Sequence, residues 1–276
     1  MQSPSSQIFL NLGFIKIRYY GAIMALAIGI GYLFTKLIAS KYYKENVNLG
    51  ILSGLFPIVT MFGLLGGRLY YVLLDYHYYI QHLNEIFAVW LGGLSIHGAI
   101  LGGFISGVIY LRLKKQKILP YADVFAYGLL LGQALGRWGN YFNIEAYGAP
   151  TNLPWKLYVP IFYRDLKYLN YEYFHPTFLY ESIWNLLCFI ALFFGLRRFV
   201  QKYEGVNFFL YLILYSVGRI FIEKLRLDSV LYVFNLPIAI LVSMIIIIVS
   251  IFSICLIIRN NKKIVNGEVI KWQIMR

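Results

Sequence analysis

Seven ionisable residues lie inside stretches that are otherwise apolar: Arg68, His97, Asp123, Arg137, Glu181, Arg219 and Glu223. An ionisable group at membrane depth costs about 2.5–3.5 kcal/mol on insertion scales, so each carries more information than any neighbouring Leu or Tyr. Arginine suits phosphate, because its planar, permanently charged fork donates two parallel hydrogen bonds. His97 is set among Gly92, Gly93, Gly98, Gly102 and Gly103. An imidazole there suits general-base work near neutral pH, and equally a structural hydrogen bond in a close-packed helix. Tyr215, Arg219 and Glu223 recur at four-residue spacing and share one helix face, which Arg226 nearly extends. An internal Arg219–Glu223 pair explains that stripe as well as a ligand does, and Arg68 and Glu181 could likewise lock helices together. The densest polar segment runs Gly136-Arg137-Trp138-Gly139-Asn140-Tyr141-Phe142-Asn143-Ile144-Glu145-Ala146-Tyr147-Gly148. It sets Arg, Asn and Glu among aromatics, a composition fitted to a lipid head group at a membrane–water boundary. No second His or Cys is spaced to complete a metal site with His97.

These groups need elements to position them, and the composition says which. The chain has 276 residues, 60% hydrophobic and only 13% charged, which excludes an ordinary soluble domain, a disordered chain and a disulfide scaffold. Apolar runs near Tyr20–Ala39, Leu49–Leu74, Ile86–Leu111, Ile118–Arg137, Pro176–Leu196, Val206–Glu223 and Ser229–Ile258 predict about seven membrane helices. The expected fold class is therefore all-α, a polytopic membrane protein read as a single integral domain over 1–276. Cys188 and Cys255 fall inside apolar runs, as packed or lipid-facing side chains. The net charge of +13 flanks the apolar runs instead of forming a patch, so nucleic acid is not an expected partner.

Taken alternately, one set of connecting segments holds fifteen Lys and Arg and the other seven. The positive-inside rule then puts the N-terminus outside and the C-terminus in the cytoplasm. In that frame six of the seven membrane-depth groups belong to the outer half, with His97 roughly 16 Å along its span at ~1.5 Å per residue. Only Asp123 maps to the cytoplasmic end. The asymmetry predicts a polar cavity open to the external leaflet, where a phospholipid supplies the phosphate. Residues 1–19 read as an interfacial arm and 138–175 as an external loop or small head. A cleavable signal peptide is not expected, since the first fifteen residues lack Lys and Arg and the next apolar stretch is too long. A transporter would place charges in both halves or show repeated broken helices, and neither pattern occurs. An intramembrane hydrolase shares the His and Arg and remains open.

At these residues the sequence resembles the prolipoprotein diacylglyceryl transferase family. The similarity rests on the glycine-rich segment around His97, the run Gly136–Gly148, His175-Pro176-Thr177-Phe178-Leu179-Tyr180-Glu181, and Tyr215-Ser216-Val217-Gly218-Arg219-Ile220-Phe221-Ile222-Glu223. Arg18-Tyr19-Tyr20-Gly21 and Gly67-Arg68-Leu69 resemble further family blocks, so nearly the whole chain is covered. The resemblance implies a bacterial cytoplasmic-membrane enzyme that moves the diacylglyceryl group of phosphatidylglycerol to the lipobox cysteine of prolipoprotein signal peptides, without a cofactor or metal. It implies catalytic roles for His97 and Arg219. Arg137, Asn140, Glu145, Tyr215, Glu223, Arg68 and Tyr19 are the expected substrate-binding residues. Ile144 stands where the family usually has Gly, and Ala149 where a basic residue is common.

Overall fold

The computed structural model describes residues 1–4, 6–11, 16–89, 92–227, 232–233 and 236–274, with side chains to 261 apart from that of residue 16. Seven of its helical stretches are long and apolar enough to span a bilayer, and the protein is a multi-pass membrane protein. The helices are α1 (Tyr19–Tyr42), α2 (Leu49–Leu74), α3 (Tyr76–Gln81), α4 (Ile96–Leu113), α5 (Ile118–Asn143), α6 (Thr177–Ile190), α7 (Arg197–Val200), α8 (Val206–Glu223) and α9 (Ile238–Ile274). A π-helical stretch, Ala191–Leu196, carries α6 into α7, so one continuous span covers Thr177–Val200. The chain forms two compact units, Met1–Ile38 with Ala122–Arg276 and Ala39–Tyr121, and each is described by itself.

In the smaller unit α2 and α4 run antiparallel, because Gly54 faces Tyr110, Val59 faces Gly103 and Gly107, and Gly66 faces Gly98 and Gly102. Lipid tails are as apolar as Leu, so helices in a bilayer are held by close van der Waals contact, which small residues permit. A Cβ on Gly98 would run into the carbonyl of Gly66, and one on Gly102 into that of Phe62. The third span begins at Ile96, ten residues later than the apolar run predicts. Gly92 and Gly93 take φ of +95° and +72°, and residues 83–85 form a 3-10 turn, which together keep this stretch from continuing as helix. His97 consequently lies on the first turn of α4, exposed, and not at mid-span as expected.

In the larger unit α5 lays a glycine ridge along α1. Gly128 packs at Gly31 and Thr35, Gly132 at Ala27, Gly136 at Met24 and Gly139 at the Tyr20 ring. This helix continues to Asn143, six residues past the predicted end, so Asn140 is a helical residue and the head begins later than 138. At the opposite end of the unit Asp123 accepts from the amides of Gly205 (2.6 Å) and Phe208 (2.9 Å), capping the open start of α8. The head is closed by a short antiparallel pair, β3 (Leu157–Tyr158) and β4 (Tyr173–Phe174). Ile144, Leu157, Val159, Phe174 and Phe178 form its core. The predicted arm is a hairpin of β1 (Ile8–Asn11) and β2 (Lys16–Arg18) leading straight into α1. The start expected for the seventh span, Ser229, lies outside the described residues.

Gly98→Val should separate α2 from α4, with an overpacking cost of about 1–3 kcal/mol or more because the obstructing atom is backbone. Gly29, whose Cβ would meet nothing within 4 Å, supplies the control. A lowered thermal midpoint for Gly98→Val beside an unchanged one for Gly29→Ala is the expected result, and equal midpoints would refute the contact.

Candidate active site

Three segments of the larger unit end at the same level and bring their charges together on one carboxylate. Glu181, in the first turns of α6, takes Arg137 of α5 on Oε2 (2.5 Å). Its Oε1 takes Arg226 (2.9 Å) and Arg219 of α8 (3.3 Å). Arg219 also reaches Glu223 one turn later at 2.7 Å. Glu181 and Glu223 are buried, whereas the side chains of Arg137 and Arg219 keep 22% and 21% of their surface exposed. Three guanidiniums against two carboxylates leave a net charge of +1, with Arg137 and Arg219 the more exposed members. Such a cluster is matched to one singly charged phosphodiester.

The loop after α5 is fastened to all three segments. Asn140 Nδ2 donates to Glu145 (2.8 Å), and Asn143 Nδ2 donates to the same oxygen (3.3 Å), folding Glu145 back on the helix end. The Gly148 amide donates to the His175 carbonyl (2.9 Å) and that of Ala149 to the Leu225 carbonyl (2.8 Å). Thr177 closes the ring by donating to the Ala146 carbonyl. A Cβ on Gly148 would stand 2.7 Å from the Leu225 oxygen, so the bridge to the Arg226 strand needs glycine. Ile144 and Ala146 hold φ of +56° and +55°, a left-handed conformation in which a β-branched residue is an outlier. Here the Ile144 side chain, buried in the head core, offsets the backbone cost.

Next to this loop His175 Nδ1 pairs with the Tyr180 hydroxyl (3.1 Å), which also accepts from Trp155 Nε1 (2.9 Å). Burial holds the His175 pKa below its ordinary value, and the neutral ring it favours can accept from Tyr180.

The expected site residues thus divide. Arg137, Arg219 and Glu223 meet in one cluster, and Asn140 and Glu145 meet above the same helix end. Tyr19 stacks on Phe142 (4.3 Å between centroids) and carries Phe9 at its edge, an aromatic platform between the arm and α5. Tyr215 lies one turn before Arg219, with its ring 6.2 Å from that of Tyr211. His97 and Arg68 belong to the smaller unit. The His97 ring lies 6.2 Å from that of Tyr70.

Arg68, expected to hold substrate, makes its hydrogen bonds to one loop of its own unit. Its Nε and terminal nitrogens donate to the carbonyls of Ile86 (2.7 Å), Gly92 (2.7 Å), Gly93 (2.9 Å) and Glu85 (2.5 Å), and its guanidinium lies over Tyr79. A guanidinium has five N–H groups, and four of these are spent on holding one loop. The cavity of about 320 Å³ beside it also carries Asp75 and Glu85, which disfavour a phosphate. Glu181, expected in the polar cavity, and Arg226, expected on the Arg219 stripe, both join the cluster although neither stands among the expected catalytic or substrate-binding residues.

The model of the prolipoprotein diacylglyceryl transferase family matches residues 7–256. This chain belongs to that family. Relatives named phosphatidylglycerol–prolipoprotein diacylglyceryl transferase include one from Prochlorococcus marinus (strain MIT 9215), 44% identical over 83% of this chain and 81% of its own length. One from Acaryochloris marina (strain MBIC 11017) is 45% identical over 83% and 82%. Another, from Thermotoga maritima, is 42% identical over 94% of this chain and 86% of its own.

Removing one partner of a buried ion pair costs about 3–5 kcal/mol, because the other is left uncompensated. Glu181→Ala should therefore lower the thermal midpoint by several degrees, and Glu181→Gln, which keeps an acceptor, by less. Unchanged unfolding of both variants would show that the arginines are held by something else.

Proposed function

We propose that this protein transfers the diacylglyceryl group of phosphatidylglycerol to the thiol of a lipobox cysteine in a prolipoprotein signal peptide. The observation that carries the reading is the net positive cluster of Arg137, Arg219 and Arg226 on Glu181, at the ends of three membrane segments. The cysteine sulfur forms a bond to the glyceryl carbon, the bond from that carbon to the phosphate oxygen breaks, and glycerol phosphate leaves with the electron pair. A thiol has an unperturbed pKa of about 8.5 and attacks as thiolate, so a base must take its proton near neutral pH. We assign that role to His97, exposed on the first turn of α4. Arg137 and Arg219 hold the phosphate and stabilise the departing charge. Asn140 and Glu145 shape the head-group end, while Tyr215, Glu223 and Tyr19 border the lipid. The loop charges favour a site open to the external leaflet of the bacterial cytoplasmic membrane, with the N-terminus outside.

The direct test incubates purified protein with phosphatidylglycerol and a lipobox peptide and weighs the peptide. A mass gain of one diacylglyceryl group is expected, whereas free diacylglycerol and an unmodified peptide would make the protein a hydrolase. Loss of a charge-assisted contact worth about 1.5–3 kcal/mol should make Arg137→Ala bind the lipid roughly 10- to 150-fold more weakly. Arg137→Lys should recover only part, lacking the fork.

His97→Asn should keep the thermal midpoint and much of the lipid affinity while lowering transfer by about 10²-fold or more, the scale of general-base catalysis. Its rate should recover in part between pH 6 and 9, as more thiol ionises unaided. Near wild-type transfer would remove His97 from the chemistry and leave Arg219 as the leading group.

A further inference from the structure

The head carries an apolar knuckle that none of the described residues of the larger unit covers. Phe162 is 95% exposed and Leu166 87%, each projecting from its own 3-10 turn, Ile161–Tyr163 and Leu166–Tyr168. Arg164 between them donates to the carbonyls of Val159 (2.8 Å) and Leu169 (2.9 Å), clasping both ends of the excursion. Asp165 accepts from the Lys167 amide at 2.8 Å, fixing the second turn. The protrusion is therefore preformed, and its apolar tips are displayed at little ordering cost.

Its depth is marked by Gln7. The Gln7 side-chain amide donates to the carbonyl of Asn143, the last residue of the α5 span (3.4 Å), and to the Tyr163 hydroxyl (3.2 Å). The Gln7 carbonyl accepts from the amide of Tyr19, the first residue of the α1 span (3.0 Å). One residue thus ties the knuckle to the ends of two membrane helices. The adjoining strand β1 exposes Ile8, Phe9 and Leu10, and Lys156, Arg164 and Lys167 outnumber Asp165 and Glu172 along residues 156–172. Aromatic and aliphatic tips with basic flanks, held at the level where a helix leaves the bilayer, fit the headgroup and acyl boundary of an anionic leaflet.

We propose that Phe162 and Leu166 insert into the leaflet at this end of the bundle, anchoring the head by about 5–10 Å of interfacial penetration. Tyr147 of the signature loop donates to the Tyr163 carbonyl, so the anchor and the loop bearing Glu145 are mechanically joined. A water-soluble protein partner is the competing occupant, and depth separates the two.

The test uses the full-length protein with Cys255→Ser, Cys188 being buried, and an environment-sensitive fluorophore on Phe162→Cys or Leu166→Cys. The labelled protein is placed in nanodiscs containing phosphatidylglycerol. Insertion predicts blue-shifted emission at both positions, quenching by a nitroxide near the top of the acyl chain, and protection from aqueous iodide. Adding Phe162→Asp should strip the lipid quenching from the label at 166. Iodide quenching at either position, or lipid quenching at 166 that survives Phe162→Asp, would overturn the proposal.

Discussion

Everything at the candidate site depends on a carboxylate that three arginines share. Arg137 lies far in sequence from Arg219 and Arg226, and without Glu181 between them their like charges would drive the segments apart. Removing charges from water is expensive, and the expense is offset only when each finds an oppositely charged neighbour with good geometry. Glu181 meets that condition from the first turns of α6, and Glu223 meets it for Arg219 from within α8. The remaining positive charge is what gives the cluster a use for an anion.

The backbone around the cluster is arranged to keep the arginines registered. The loop Ile144–Ala149 is bonded to the segment before α6 and to the segment after α8, so a shift of either helix end is opposed by amide hydrogen bonds. Two residues in left-handed conformations, Ile144 and Ala146, turn the chain sharply enough for Glu145 to fold back toward Asn140. The head core buries Ile144 and Phe178 together, coupling the turn to α6 by packing.

Much of this was legible in the sequence. The apolar runs mark seven spans because bilayer thickness imposes a length that composition records directly. Four of the seven membrane-depth charges, Arg137, Glu181, Arg219 and Glu223, meet in one cluster, because their insertion cost demands partners. What the sequence withheld was the pairing itself. Glu181 stood in the list of costly groups, yet its three-fold sharing depends on helix ends meeting at one height, which no local spacing encodes. Arg68 shows the converse: its type and depth suit phosphate, but a nearby loop with carbonyls turned inward takes its donors first. The late start of α4 was hidden for a related reason, since apolar composition persists through Ile86–Val89 while the positive φ of Gly92 and Gly93 is a property of conformation.

The glycine contacts between α1 and α5, and between α2 and α4, bring backbone against backbone within each unit. Attraction at such a seam comes mainly from dispersion between fixed atoms, which depends less on the surrounding solvent than apolar burial does. A micelle that strips away annular lipid would leave these seams intact while relaxing whatever the bilayer itself holds in place. The two helix pairs are in this sense solvent-tolerant building blocks, carrying the same internal geometry through extraction and reconstitution.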